Sequence, residues 1–442
     1  MTTEPAEAEK PAESLAQPPR WTRFAWFLGR PPGGLTDHQW RVLGLVSAVS
    51  FFEQYDVYLF SLNLKHIQAD LGIAESALGW LGSLVRAGAL LAVLVTLLAD
   101  RVGRRKVLLF TVIAYTVLTG ATALAPNAEA FVALQFLART FAVAETLVAV
   151  VVVAEEFGPE SRGWGIGALG AIQACGAGLA ALLFGFVDQL PFGWRSLYFL
   201  GLVPLGLVAW WRRTLPETRR FEELARSRAS SLRATPALAP MLGLVRDYPG
   251  RFAAVAIASF AFAAAQSPAV FFAPKYLQDA QGWSPGAVAA LNFMGGALAI
   301  LANPLAGRLS DRIGRRRVAA GFLAVWIASA IAFYNAPAFA VGPCWVLMLF
   351  LFFGAETTLS ALSVEVFPTS QRSTAAGARG LLAGVGAVGG LAVVSVLYAQ
   401  LGSNWAAVSA VALAAVVIPP VVLVALPETA GRSLEEVSPE RS

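Results

Sequence analysis

A small set of charged side chains lies inside long apolar runs of this chain, where each costs several kcal/mol unless it is paired or hydrated. In Phe51-Phe52-Glu53-Gln54-Tyr55-Asp56-Val57-Tyr58, the carboxylates Glu53 and Asp56 stand at i and i+3, on one face of a helix. Asp56 is about seven or eight residues from one end of its run, and Arg139 about nine from the matching end of another. At ~1.5 Å per residue these depths agree to within a turn. A carboxylate beside an arginine is ionised, and the same group in a drier site takes up a proton. An Asp56–Arg139 pair that opens can therefore carry a proton, whereas one that stays shut is a structural tie. Arg86 reaches a similar depth and is a rival partner for Glu53 or Asp56. Glu145 sits near the middle of the run that holds Arg139 and Glu356 near the middle of another, and Arg379 reaches the level of Glu356. These two carboxylates read as a second proton site, as contacts for a small molecule, or as packed pairs. The uncharged polar residues Gln173, Gln266 and Asn292, with Tyr55, Phe271, Phe272 and Trp345, are either further contacts of that kind or packing residues.

Composition says what must position them. Of 442 residues, 57% are hydrophobic and 14% charged, with mean hydropathy +0.63, against roughly 25% charged for a soluble domain. Lipid must cover much of such a surface. Apolar runs fall at 41–63, 77–98, 106–125, 130–157, 163–187 and 195–214, then at 251–276, 285–307, 316–335, 341–366, 373–399 and 404–425. Each is long enough to cross roughly 30 Å of hydrocarbon as a helix. Cys175 and Cys344 lie in such runs and read as small packing residues rather than a disulfide. The +5 net charge is dispersed between runs, which argues against a nucleic-acid partner. His38 in the tail and His66 at a rim lack metal-ligand spacing and read as solvated, and no dinucleotide, Walker-type or metal-hydrolase motif occurs. No cofactor, metal or enzymatic activity is expected.

The runs are a duplication. Ala99-Asp100-Arg101-Val102-Gly103-Arg104-Arg105-Lys106 returns as Ser310-Asp311-Arg312-Ile313-Gly314-Arg315-Arg316-Arg317, Asp100 to Asp311 being 211 positions. Leu215-Pro216-Glu217-Thr218 and Ala144-Glu145-Thr146 recur at the same offset, as Leu426-Pro427-Glu428-Thr429 and Ala355-Glu356-Thr357. Six runs plus six agree with that repeat, a mark of secondary transporters. The expected organisation is a disordered tail over 1–35, a six-helix bundle over 36–214, a linker over 215–250, a second bundle over 251–426 and a tail over 427–442. Within the first tail, Trp21 to Phe27 either lies on the headgroup surface or is part of a linker. Of the 33 basic residues, 27 fall on the side of the termini, three on the other (Lys65, Arg195, Lys275) and three within helices (Arg86, Arg139, Arg379). Both termini are thus expected in the cytoplasm of a cell-membrane protein.

At these paired loops, at Glu156-Phe157-Gly158-Pro159 and Glu365-Val366-Phe367-Pro368, and at the run from Pro427 to Glu436, the chain resembles the major facilitator superfamily. The last run is similar to the C-terminal signature of its sugar-porter-like branch, which includes carriers of organic and aromatic acids. In the first loop, Thr96 stands where the pattern has the Gly that Gly307 supplies in the second. The resemblance implies an all-α membrane protein of twelve helices in two pseudo-symmetric six-helix bundles, with helices 1, 4, 7 and 10 lining a cavity. It implies a cytoplasmic gate of Asp100, Arg101, Gly103, Arg104 and Arg105 with Glu156 and Arg162 in one half. In the other half the gate is Asp311, Arg312, Gly314, Arg315 and Arg316 with Glu365 and Arg372. Such charges hold an outward-facing state and separate as the bundles rock.

The Asp56–Arg139 pair resembles the carboxylate–arginine pair of related symporters, with Glu53 and Glu145 as further proton-coupling candidates. Arg139 lies one turn closer to Pro159 than is usual in the family. Gln173, Gln266, Asn292, Glu356, Tyr55 and Arg86 are the candidate solute contacts. The glutamine-rich helix-7 signature of sugar porters is absent, which favours a small organic acid or aromatic compound over a hexose, with a sugar still among the expected solutes. Pro268, Pro274 and Pro304 are expected to break helices 7 and 8 at cavity level. The expected function is proton-coupled uptake of a small organic solute by a monomer in the bilayer. A proton-antiporting exporter and a non-transporting sensor of the same fold remain alternatives; the exporters' Gly-Pro motif is missing from Gly170 to Gly178.

Overall fold

The computed structural model describes residues 28–212 and 239–438, apart from 159 and 433, together with 17, 19 and 22. Most of the expected tail over 1–35, including most of Trp21 to Phe27, lies outside the described residues, as does most of the linker expected over 215–250.

The described chain is helical. Helices of membrane length follow in order: α1 Asp37–Leu62, α2 Leu78–Val102, α3 Arg104–Thr122, α4 Ala128–Glu156, α5 Arg162–Phe184 and α6 Trp194–Arg212. The second half has α7 Pro249–Phe271, α8 Pro285–Ala299 continued by Ala302–Ile313, α9 Arg315–Asn335, α10 Ala338–Glu365, α11 Arg372–Leu401, and α12 Asn404–Ala414 continued by Ile418–Ala425. Among the described residues ten spans are both long and apolar enough to cross a membrane. The other two complete the twelve: α1, which carries Arg41, Glu53 and Asp56 along its 26 residues, and α6, whose apolar part is Trp194–Val208. Exposed Leu94, Val117, Trp210, Phe339 and Val424 give the outer face the apolar surface that lipid requires.

Helix ends fall within a few residues of the sequence expectation, and the differences have local causes. Thr36 and Gln39 form a reciprocal capping box, so α1 starts at Asp37 and takes in His38, which was expected in the tail. Pro274 has no N–H to offer the carbonyl of Val270. There α7 stops, resuming as Ala273–Asp279, and Ser61 of α1 donates its hydroxyl to the Val270 and Phe271 carbonyls instead, at 3.4 and 2.9 Å. Pro304 likewise frees the carbonyl of Ile300, where α8 is interrupted. Pro268 stays inside α7 without ending it, so that expected break does not occur.

In the first half α1 packs on α5, α2 on α4, and α3 on α4 and α6; in the second, α7 packs on α11, α10 on α8 and α9, and α9 on α12. The halves meet where α2 packs on α11 and α5 on α8. Backbones approach at glycine: a Cβ on Gly176 would lie 1.9 Å from the Phe51 carbonyl oxygen, and one on Gly390 1.9 Å from that of Ala264. Small residues at helix contacts permit this approach within lipid. The repeated loops share their turn, with Gly103 at φ 111° and Gly314 at φ 114°, a region open to glycine.

Candidate solute and proton site

Glu53 is the hub of the first half. It is 4% exposed and accepts hydrogen bonds from Arg139 Nη1 at 3.2 Å, Thr146 Oγ1 at 3.0 Å and Gln173 Nε2 at 2.8 Å. Helices α1, α4 and α5 are thus joined at one carboxylate, which is paired and fully bonded as a buried charge must be. The sequence expectation placed Asp56 against Arg139; the direct partner is Glu53, because Glu53 is the carboxylate at the level of the guanidinium. Asp56, one turn along α1, is buried within electrostatic reach of Arg139 and Glu53 and near Gln135, and keeps one oxygen without a hydrogen-bond partner. Arg86 makes no ion pair with either carboxylate among the described residues.

Other expected contacts are drawn elsewhere. Tyr55 is buried and donates its hydroxyl to the Leu197 carbonyl at 2.8 Å, which turns it towards α6 and away from any cavity. Asn292 donates to Val288 of its own helix at 2.8 Å. Phe271, Phe272 and Trp345 are buried packing residues. Glu145 is fully buried between α3 and α4 and accepts from Thr111 at 2.9 Å, the packed reading of that residue. Its repeat-mate Glu356 is 43% exposed and pairs with Arg379 at 2.5 Å, as their depths suggested.

The Glu356–Arg379 pair borders a cavity of about 270 Å³ in the second half, lined also by Ser259, Phe262, Gln266 and Phe352. Gln266 is the uncharged candidate that the structure brings to this wall. The cavity is near the lower end of the ~300–1,000 Å³ usual for small-molecule sites.

At the end near the termini, the expected gate forms only in part. The side chains of Asp100, Arg101 and Arg104 lie outside the described ones. Glu156 pairs with His38 at 3.0 Å, not with Arg162, which is exposed and makes no described ion pair. In the second half Arg315 pairs with Glu365 at 2.6 Å and Asp311 at 3.4 Å. Arg372 instead donates to the Phe367 carbonyl at 3.3 Å, and Arg316 to the Leu423 and Leu426 carbonyls at 2.9 and 3.3 Å. Arg105 and Arg312 are exposed. Glu428, noticed as a repeat residue but given no role, accepts from the Arg315 amide at 2.7 Å and so caps α9. Thr429 donates to Glu365 at 2.6 Å.

At the opposite end the two halves are clasped. Lys65 of the first half pairs with Asp279 of the second at 3.0 Å, and Lys275, 2% exposed, pairs with Glu75 at 2.8 Å and also with Asp279. Asn404 donates to Glu75 at 2.9 Å. Sequence reasoning read Lys65 and Lys275 only as topology signals; their partners are far apart along the chain and leave no local pattern. His66 there pairs with Asp188 at 3.1 Å, so neither histidine is merely solvated.

Two bundles of membrane helices around a buried polar centre define a class, and comparison with known proteins agrees. The family model described as Major Facilitator Superfamily matches residues 46–355 and 255–441. The chain belongs to that superfamily. It is 30% identical over 234 residues to the gallate transporter of Pseudomonas putida, covering 52% of this chain and 49% of that protein. To the cis,cis-muconate transport protein of Acinetobacter baylyi it is 26% identical over 349 residues, covering 77% and 83%. The chain spans about half the length of the relatives it matches at 30% identity. The structure is similar to the inward open conformation of the xylose transporter XylE from E. coli, with TM-score 0.70 and 17% identity, covering 90% of this chain and 99% of that one. That likeness concerns the fold.

Proposed function

We propose that the chain is a secondary active transporter, a proton-coupled symporter of a small carboxylate-bearing solute working by alternating access. The observation that carries this reading is the buried cluster in which Arg139, Thr146 and Gln173 all donate to Glu53 while Asp56 keeps an oxygen bare. A bare anionic oxygen at Asp56 would be costly among apolar helices. Asp56 therefore carries the proton in this arrangement, and its neutral form lets the bundles reorient. With the termini in the cytoplasm, as the basic residues suggest, the clasped end is outside and the arrangement is inward-facing. The carboxylate class is supported by two relatives named for gallate and muconate and by a guanidinium group on the cavity wall, that of Arg379.

Uptake into proteoliposomes tests this. Gallate, cis,cis-muconate and xylose are supplied outside under an imposed inward proton gradient. Accumulation of an acid, abolished in Asp56→Asn, is the expected result. Extrusion would indicate an exporter, absence of flux a sensor, and gradient-driven accumulation by Asp56→Asn would remove Asp56 from coupling.

A further inference from the structure

Glu356 and Arg379 are an ion pair placed where a pair with only a structural duty has little reason to be. Glu356 is 43% exposed while Arg379 is 12% exposed, so the guanidinium is the sheltered member and the carboxylate faces the open space. Arg379 offers Nη2 to Glu356 at 2.5 Å, yet its Nε is buried with no hydrogen-bond partner among the described residues. An arginine can present a fork of parallel N–H groups to one carboxylate, and here Glu356 takes a single tooth of it. Ser259, on the same cavity wall, also has a buried hydroxyl without a partner. Phe262 and Phe352 stand beside these groups as a stacked pair, centroids 6.0 Å apart and planes 30° apart. Gln266 completes the wall with an amide that can read a substituent.

The geometry points to Arg379 as the seat of the solute's carboxylate, with Glu356 as a built-in occupant that the solute displaces. This inference rests on the carboxylate reading proposed above and names the residues that perform it. An incoming carboxylate takes the guanidinium fork, an apolar ring lies against Phe262 and Phe352, and Gln266 with Ser259 meets polar substituents. Glu356, on the open side of the pair, swings into the cavity as it leaves. The position explains why a carboxylate occurs in a binding wall meant for anions: without it, an unfilled site would hold an uncompensated buried cation.

Displacement predicts opposite signs for two variants. Gallate, its uncharged amide and cis,cis-muconate are titrated by calorimetry into purified wild type, Glu356→Gln, Arg379→Gln and Arg379→Lys, each checked for a monodisperse elution profile. Arg379→Gln is expected to weaken gallate by about tenfold or more, the effect of losing a charged hydrogen-bonding partner. Arg379→Lys keeps charge without the fork and falls between. Glu356→Gln removes the competitor and tightens gallate by about threefold or more, leaving the amide unchanged. If Arg379→Gln does not fold, the lysine and Glu356→Gln variants carry the test. Gallate binding within twofold of wild type in Arg379→Gln, or weakening in Glu356→Gln, overturns the displaced-pair assignment while leaving carboxylate transport intact. If wild type binds neither gallate nor cis,cis-muconate, the carboxylate reading itself fails, and this assignment with it.

Discussion

The two ends of the bundle pair are held by different means. At the end away from the termini, charges reach across the interface: Lys65 to Asp279, and Lys275 to Glu75. There Ser83 also donates to the Val388 carbonyl and Ser395 to that of Ser76. At the end near the termini, the described contacts of this kind stay within one half: His38 is hydrogen-bonded to Glu156, Arg315 pairs with Asp311 and Glu365, and Arg316 with Glu428. One end is thus a clasp between bundles and the other a set of ties inside each. Of the two loops that resemble the family gate, the second braces its own half in this arrangement, through Arg315 with Asp311 and Glu365.

The comparison can be broken most severely at Gly79, where an added Cβ would sit 2.4 Å from the Leu391 carbonyl oxygen of the other half. Gly79→Val is expected to wedge the clasped end open and to cut transport by about tenfold or more, since overpacking costs roughly 1–3 kcal/mol. Spin-label distances across that end should lengthen; unchanged distances would mean that the clasp does not set closure. Next comes Lys275→Ala, which leaves Glu75 and Asp279 without their shared ammonium. The loss of a buried partner is expected to cost about 1–3 kcal/mol of the closed arrangement, read as a shift towards the longer distance. Arg315→Ala sharpens the contrast from the other side. Thermal stability in nanodiscs should fall by about 1 kcal/mol, or a few degrees, with no change in the distance across the clasp. The smallest effect is expected for His38→Gln, within about 0.5 kcal/mol in the same assay, because a partly exposed pair is worth little.

Much of the fold was legible because lipid imposes a length on every apolar run, and the duplication checked the number of runs. Charged residues within runs were also legible as a polar centre, and the Glu356–Arg379 pair followed from depth alone. Depth has a resolution of about one helical turn, however, and Glu53 and Asp56 are one turn apart. That is why depth sets Arg139 against Asp56 where the structure bonds it directly to Glu53. Helix rotation was less legible still. Glu145 and Glu356 occupy equivalent repeat positions, yet one faces α3 and the other a cavity, and no periodicity in such uniformly apolar segments distinguishes them. The clasp was invisible because its members belong to opposite halves of the chain, each looking like an ordinary loop charge.

One further consequence concerns the order of synthesis. The first amide of α9 is capped by Glu428, 113 residues further along the chain. At about 5–20 residues per second, translation supplies that carboxylate on the order of ten seconds after Arg315 itself is made. Until then the start of α9 lacks its partner, and Glu365 lacks Thr429. The second half therefore cannot reach its final arrangement until its last helix has emerged, and loss of the short stretch from Pro427 to Ala430 would leave a helix made long before it permanently unfinished.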